Sequence, residues 1–327
     1  MDSRWERTEI PCAICGPGVA YHVRYEEQID EGPINFTARK TPTRQHFRVV
    51  ECSRCGLIYS NPILPLDTIY RLYRESPFIQ EMQLKSMVRD YQDQVKDLLP
   101  LLNHHDRLLE IGCSSGFFLK AALKLGFKEV WGVEPGEEAV RRADPSISPH
   151  IVNALFRGDL FPAESFDLIC CFQVLDHLLD PNAVLRDVFT LLRPGGMVLL
   201  LNHDIRSWFP RLLGERCPMY DIEHIYLFDR NTVARLLENN GFDIVHIRNT
   251  SNSYTLGYAV KMFPLPRILK SPLLAMMRWI GADRWRVRLA AGNMVSVGRK
   301  GTTRSCSDLR TESCKVQRPV QLVPLAS

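Results

Sequence analysis

The sequence predicts a doubly wound α/β domain preceded by a small metal ribbon, and three observations carry that reading. The first is Arg107–Gly116, read as RLLEIGCSSG, which joins a short buried strand, a glycine turn and a helix start. The second is an ordered series of short apolar runs downstream that alternate with helical patterns and end at glycine or proline. The third is a pair of Cys-x-x-Cys-Gly motifs ahead of both.

Composition bounds the possibilities. At 327 residues the chain exceeds the ~100 to 200 residues of a usual domain, so one large domain with an appendage is expected. The hydrophobic fraction of 45% is ordinary for a globular protein. No apolar run reaches the ~18 residues of a membrane span, and MDSRWERTEIPC lacks a signal-peptide core, so a cytoplasmic location is expected. A net charge of +4 is too small to argue for nucleic acid. Ten cysteines then read as thiols or metal ligands and not as a disulfide frame.

In chain order, residues 1–62 form the expected ribbon. Cys12-Ala-Ile-Cys15-Gly and Cys52-Ser-Arg-Cys55-Gly can each make a knuckle that aims two thiolates at one ion, and two knuckles give the tetrahedral four-cysteine set of structural zinc. The loop between them is long enough for its own hairpin, with Tyr21–Tyr25 and Phe47–Glu51 as strands. Residues 63–104 read as a helical linker: Pro62 and Pro65 punctuate the exit, Asp67 is expected to cap a helix from Thr68, and Gln80–Leu102 adds one or two helices.

The core domain is expected over 105–300. Leu108, Leu109 and Ile111 suit a strand covered on both faces, and Phe117–Leu125 continues as a helix with Phe118, Ala121, Ala122 and Leu125 on one side. A helix N-terminus behind a glycine turn favours a nucleotide, but Gly112-Cys113-Ser114-Ser115-Gly116 lacks the G-x-G-x-x-G spacing of a dinucleotide fingerprint. Strand two, Glu129–Val133, ends in Glu134-Pro135, where a carboxylate can accept from both hydroxyls of a ribose. Pro149–Ala154 is the third strand and Phe166–Gln173 the fourth. Leu191–Gly196 turns into the fifth, Met197–Asn202. Asn231–Asn240 is a helix stopped at Gly241, Ile244–Ile247 the sixth strand and Asn293–Gly298 the closing antiparallel one. Between these last two lies an insertion at 254–291, and 301–327 reads as a disordered tail whose Cys306 and Cys314 are not ligand-spaced.

Several of these stretches resemble one family. Glu110, Gly112, Ser114 and Gly116 fit E-x-G-x-(G/S)-x-G, which resembles motif I of class I methyltransferases that use S-adenosylmethionine, with Ser114 where the family usually has its middle glycine. The stretch FDLI followed by VLDHLLDP, ending at Pro181, resembles the family's FDvI…vleHv.dP. GLIYSNPILPLDTIYRLY, after the second knuckle, is similar to the segment that follows the zinc knuckle in bacterial small-molecule methyltransferases, often sugar C-methyltransferases. The resemblance implies a seven-stranded methyltransferase sheet and a cofactor site at Glu110, Gly112, Cys113, Ser114, Gly116, Glu134, Phe172 and Gln173. It also implies acceptor chemistry at Tyr220, Glu223 and His224 with His177 across the site, since sugar C-methyltransferases of this group carry a Glu-His pair after the fifth strand. Histidine titrates near neutrality and a neighbouring carboxylate can raise its basicity, as removal of an acceptor proton requires.

The expected acceptor is a sugar or related metabolite carried on a nucleotide or lipid. An RNA base methyltransferase is the alternative enzyme, but the ribbon is mixed in sign, with Glu26, Glu27, Asp30 and Glu31 beside Arg24, Arg39, Lys40 and Arg44. A scaffold that binds the cofactor without turnover is the alternative outside enzymes. The insertion interleaves basic residues with Trp, Leu and Met, so it reads either as a lid packed on its own domain or as a peripheral contact with an anionic membrane.

Overall fold

A computed structural model of the chain describes residues 6–29, 36, 45–77, 84–263 and 265–301. The ribbon supplies β1 (Tyr21–Tyr25), β2 (Val49–Cys52) and β3 (Ile58–Ser60), followed by α1 (Leu66–Arg74) and α2 (Leu84–Lys96). The first half of the core runs β4 (Arg107–Ile111), α3 (Leu119–Leu123), β5 (Glu129–Val133), α4 (Glu137–Arg141) and β6 (Ile151–Val152). The second half runs β7 (Phe166–Phe172), α5 (Pro181–Leu191), β8 (Leu192–His203), α6 (Trp208–Leu213), β9 (Tyr226–Leu227) and α7 (Arg230–Asn239). It closes with β10 (Phe242–Thr255), α8 (Leu256–Met262), α9 (Arg267–Trp279) and β11 (Arg286–Lys300).

Seven strands form one sheet in the order β10-β11-β8-β7-β4-β5-β6. The five from β8 to β6 are parallel, while β11 runs antiparallel to both of its neighbours. The seven residues of β7, FDLICCF, are all buried, as a strand between two others and covered on both faces must be. Strand order reverses between β4 and β7, and a crevice at the carboxyl ends of such strands is where doubly wound sheets bind ligands.

Helix starts follow local chemistry. Asp180 caps α5 by accepting from Ala183 N at 2.9 Å, with Pro181 preset in the first turn. Asp229 and Thr232 form a reciprocal capping box on α7. At α1, Pro65 takes the cap position and Asp67 falls in the first turn, where its charge complements the helix dipole without capping it. The helix after the glycine turn is shorter than its apolar pattern, because the bonds Gly116 N to Cys113 O and Leu119 N to Gly116 O wind the intervening residues too tightly for an α-turn. The third strand contracts to two residues.

Strands β10 and β11 run far past the expected ends. Their register continues to Tyr254↔Val287 and Thr255↔Arg286, so the insertion begins as a hairpin extension, with α8 and α9 at its tip. Thr250, Tyr254 and Thr255 suit a pleated, half-buried surface. The ribbon is joined to the core by a fourth strand: β9 pairs with β3 as Ile58↔Leu227 and Tyr59↔Tyr226, and the two tyrosines stack at 6.0 Å. The tail expected over 301–327 lies, apart from Gly301, outside the described residues.

Candidate functional site

The four ribbon cysteines come together. One Sγ from each of Cys12, Cys15, Cys52 and Cys55 lies within 4.8 Å of all the others, and Cys12 Sγ and Cys55 Sγ are 3.5 Å apart. The edge of a tetrahedron with ~2.3 Å zinc–sulfur bonds is about 3.8 Å, so the donor set fits that ion. Each knuckle closes with a glycine N–H on the carbonyl of its first cysteine, Gly16 N to Cys12 O and Gly56 N to Cys52 O, both at 2.9 Å. Gly16 and Gly56 hold φ of 78° and 74°, a conformation that disfavours a side chain. Burial pushes the Cys12 thiol up to about 11, a cost that a divalent cation reverses by taking the thiolate directly.

The glycine turn lies at the switch point. Glu134, at the end of β5, accepts from Ser114 N and Gly136 N, both at 2.8 Å, so each carboxylate oxygen retains a lone pair for a ligand hydroxyl. Burial raises this carboxyl against those two bonds. Cys113 points into the core behind Gly132, where an added Cβ would collide with its Sγ, so only its backbone is available to a cofactor. Glu110 is buried in β4, in register with Gly132 and Cys170. Phe172 stacks on Tyr91 of α2 at 4.0 Å and meets Phe118 edge-on at 5.0 Å, making an aromatic wall. Gln173 donates to Asn293 Oδ1 at 3.1 Å, and Asn293 in turn donates to Tyr254 Oη at 3.0 Å. Ser114 and Gln173 are non-glycine residues at φ of 51° and 57°, following the adjacent strands β4 and β7. Such strained positions persist where surrounding structure holds them, and they concentrate at ligand sites.

Beside this crevice, three imidazoles surround one buried carboxylate. Asp176, in the turn after β7, is 1% exposed. His203 Nδ1 at the end of β8 lies 2.9 Å from Asp176 Oδ2, His224 Nε2 lies 3.8 Å from the same oxygen, and His177 Nε2 lies 3.9 Å from Oδ1. Burial works to raise the Asp176 carboxyl, but His177, the His203 hydrogen bond and His224 together hold it well below the usual carboxylate range. Burial lowers His177 below its ordinary 6.5, with Asp176 opposing, so this imidazole is neutral at neutral pH. His224 Nδ1 lies 2.9 Å from Met219 O, which can only accept; the proton is therefore on Nδ1, and Nε2 turns towards the carboxylate. Tyr73 of α1 reaches in: its hydroxyl is 2.9 Å from His177 Nδ1 and donates to Glu223 O at 3.4 Å. Burial, with Glu223, Asp176 and Asp221, raises Tyr73 far above its ordinary value, so it stays a phenol. Donors of Asp176, His177 and His224 lie within 4.8 Å of one another, so the cluster can hold a proton in transit or a cation.

Of the residues expected to act on an acceptor, His177, His224 and the buried Glu223 meet here. Tyr220 does not join them. It is buried on the ribbon side, edge-on to Tyr25 at 5.0 Å, because the loop after α6 turns between Tyr220 and His224. Sequence reasoning missed Asp176, His203 and Tyr73. The pair Asp176-His177 stood inside a quoted motif, and only an acidic residue next to a histidine at a strand end signalled it. His203 lay one residue past the expected strand, and Tyr73 is a helix position that nothing local distinguishes.

Residues 81–247, just over half of the chain, match a family model described as a methyltransferase domain. The chain belongs to that methyltransferase family. The sheet order and the glycine turn are those of its class I fold, which takes S-adenosylmethionine. Among curated relatives, an uncharacterised methyltransferase of Schizosaccharomyces pombe is 34% identical over 34% of this chain and 44% of its own length. A ubiquinone biosynthesis O-methyltransferase of Cupriavidus pinatubonensis is 24% identical over 43% of this chain and 62% of its own. A tRNA U34 carboxymethyltransferase of Idiomarina loihiensis is 33% identical over 29% and 32%. The matches thus span a third to somewhat under two thirds of those relatives. Among the described residues, no helix is long and apolar enough to cross a membrane.

Proposed function

We propose that this methyltransferase moves the methyl group of S-adenosylmethionine to a small-molecule acceptor, a sugar or related metabolite carried on a nucleotide or lipid. The observation that carries the reading is the Asp176-centred cluster next to the Gly112–Gly116 turn. When bound, the cofactor supplies an electrophilic methyl on a sulfonium. Glu134 would accept from its ribose hydroxyls, and the Gly112–Gly116 backbone, Phe172 and Gln173 would help to hold it. The transfer needs alignment and exclusion of water, and a base if the acceptor must lose a proton. His224 takes that proton, Asp176 steadies the charge that results, and Glu223 and Tyr73 fix the rings. The same arrangement suits an acceptor carbon beside a carbonyl, where enolisation needs a positioned base.

RNA is the second reading, favoured by the similarity to a tRNA U34 carboxymethyltransferase. Against it stands the ribbon, where Arg7 pairs with Glu27 and Arg24 with Glu51, so these two basic groups are already engaged. Incubation with methyl-labelled cofactor and cell fractions separates the two. Label in a sugar-nucleotide or glycolipid fraction supports the proposal; label in RNA alone replaces it.

A further inference from the structure

The tip of the β10–β11 hairpin presents an apolar face to solvent. On α9, Ile268, Pro272, Met276 and Trp279 follow helical spacing and are all exposed, whereas Met277 on the opposite side is buried. Trp279 is 87% exposed, Ile268 82%, and Trp285 just beyond the helix 64%. Leu269 and Ile280 widen the stripe. Large contiguous apolar surface of this kind marks an interaction site and not an ordinary solvated face.

The charge around it identifies the partner. Residues 254–291 hold seven basic residues and one acidic residue, Asp283. Lys261, Arg278, Arg284, Arg286 and Arg288 are exposed beside the stripe. A short helix with tryptophan, isoleucine and leucine on one face and an excess of Lys and Arg around it matches an interfacial helix on anionic lipid, where apolar side chains enter the acyl boundary and basic ones meet headgroups. Exposed tryptophans suit the same depth. Neither α8 nor α9 crosses a membrane, so the contact lies in the plane of the surface.

We propose that α9 and the adjoining end of β11 dock this methyltransferase onto an anionic lipid bilayer. The docking face is coupled to the crevice: Leu256 N bonds to Trp285 O at 2.7 Å, and Tyr254, two residues earlier, is tied through Asn293 to Gln173. An acceptor held at the bilayer surface would therefore meet the carboxyl edge of the sheet. This consequence rests on the methyl-transfer reading, whereas the docking itself does not.

The test is sedimentation of the full chain with vesicles of phosphatidylcholine alone or mixed with phosphatidylglycerol, at low and raised salt. The expected result is binding to the mixed vesicles that weakens with salt and is poor on phosphatidylcholine. The exposed-residue double variant Ile268→Ser/Trp279→Ser should bind roughly tenfold or more weakly, since two large side chains no longer leave water. Arg278→Gln/Arg286→Gln should lose the preference for the anionic vesicles. Calorimetry with S-adenosylmethionine on the same variants reports whether they are folded and keeps a failure of docking distinct from a failure of the methyl-transfer reading. Protein that stays in the supernatant with every vesicle overturns the proposal, as does vesicle binding that the double variant leaves unchanged. Concentration-dependent self-association abolished by that variant, without vesicle binding, would assign the face to a second copy instead.

Discussion

The Ser60 hydroxyl donates to the main-chain carbonyl of His224 at 3.1 Å, and the adjacent Ser60 N–H bonds to Ile225 O at 2.8 Å. The last ribbon strand thus grips the loop that carries the acceptor-side pair. A zinc ion held by the four cysteines would therefore bear on that loop through β3.

Stripping zinc with a chelator, or replacing Cys52 with Ser, should therefore lower turnover as well as melt the ribbon, because small lobes bury too little apolar area to fold unaided. Ser60→Ala should cost only about 0.5 to 1.5 kcal/mol of stability. Thermal melts and elemental analysis check both. Zinc-free protein with an unchanged melt and full turnover would separate ribbon from site.

Glu134→Ala should weaken S-adenosylmethionine binding by roughly tenfold or more, since hydrogen bonds to a charged group contribute about 1.5 to 3 kcal/mol each. The same side chain also fastens Ser114 N, so Glu134→Gln is the control that keeps a turn acceptor. Calorimetry with equal affinity in folded Glu134→Ala would remove Glu134 from the cofactor site.

The pH dependence has a defined sign. Because burial lowers His177, folded and unfolded rings are both neutral above 6.5; below it the unfolded chain takes the proton first and stability declines. Asp176, held below 3.8, stabilises the fold above that pH and loses its contribution as pH falls further. Asp176→Asn removes the anion that raises His177, so the His177 ring, followed by NMR, should titrate at lower pH while turnover drops. A His177 titration that moves to higher pH would contradict the assignment.

Tyr73→Phe tests the group that comes from the linker helix. It keeps the edge-on contact with Phe36 at 5.1 Å and removes only the hydroxyl on His177 and Glu223. Turnover should fall with cofactor affinity unchanged, which kinetics and calorimetry together would detect.

Much of this was legible in the chain. The run Leu108–Ile111, the glycine turn and Glu134 announce a strand, a turn and an acidic strand end through local periodicity, and two knuckles at metal spacing announce four converging thiols. What stayed hidden needed tertiary pairing. Nothing local says that β9 closes the ribbon sheet, that Tyr220 turns towards Tyr25, or that Tyr73, His203 and Asp176 converge from three separate elements. The strand extension past Ile247 was not legible because the Ser and Asn content of 249–253 lacks the apolar alternation that marks a strand.

The most direct test of the acceptor site is the methyl-transfer rate of His224→Ala at saturating S-adenosylmethionine, on the cell fraction that takes label from the wild-type protein. A general base at this position predicts a loss of roughly 10²-fold or more with cofactor binding intact. A rate near that of the wild type would contradict the account.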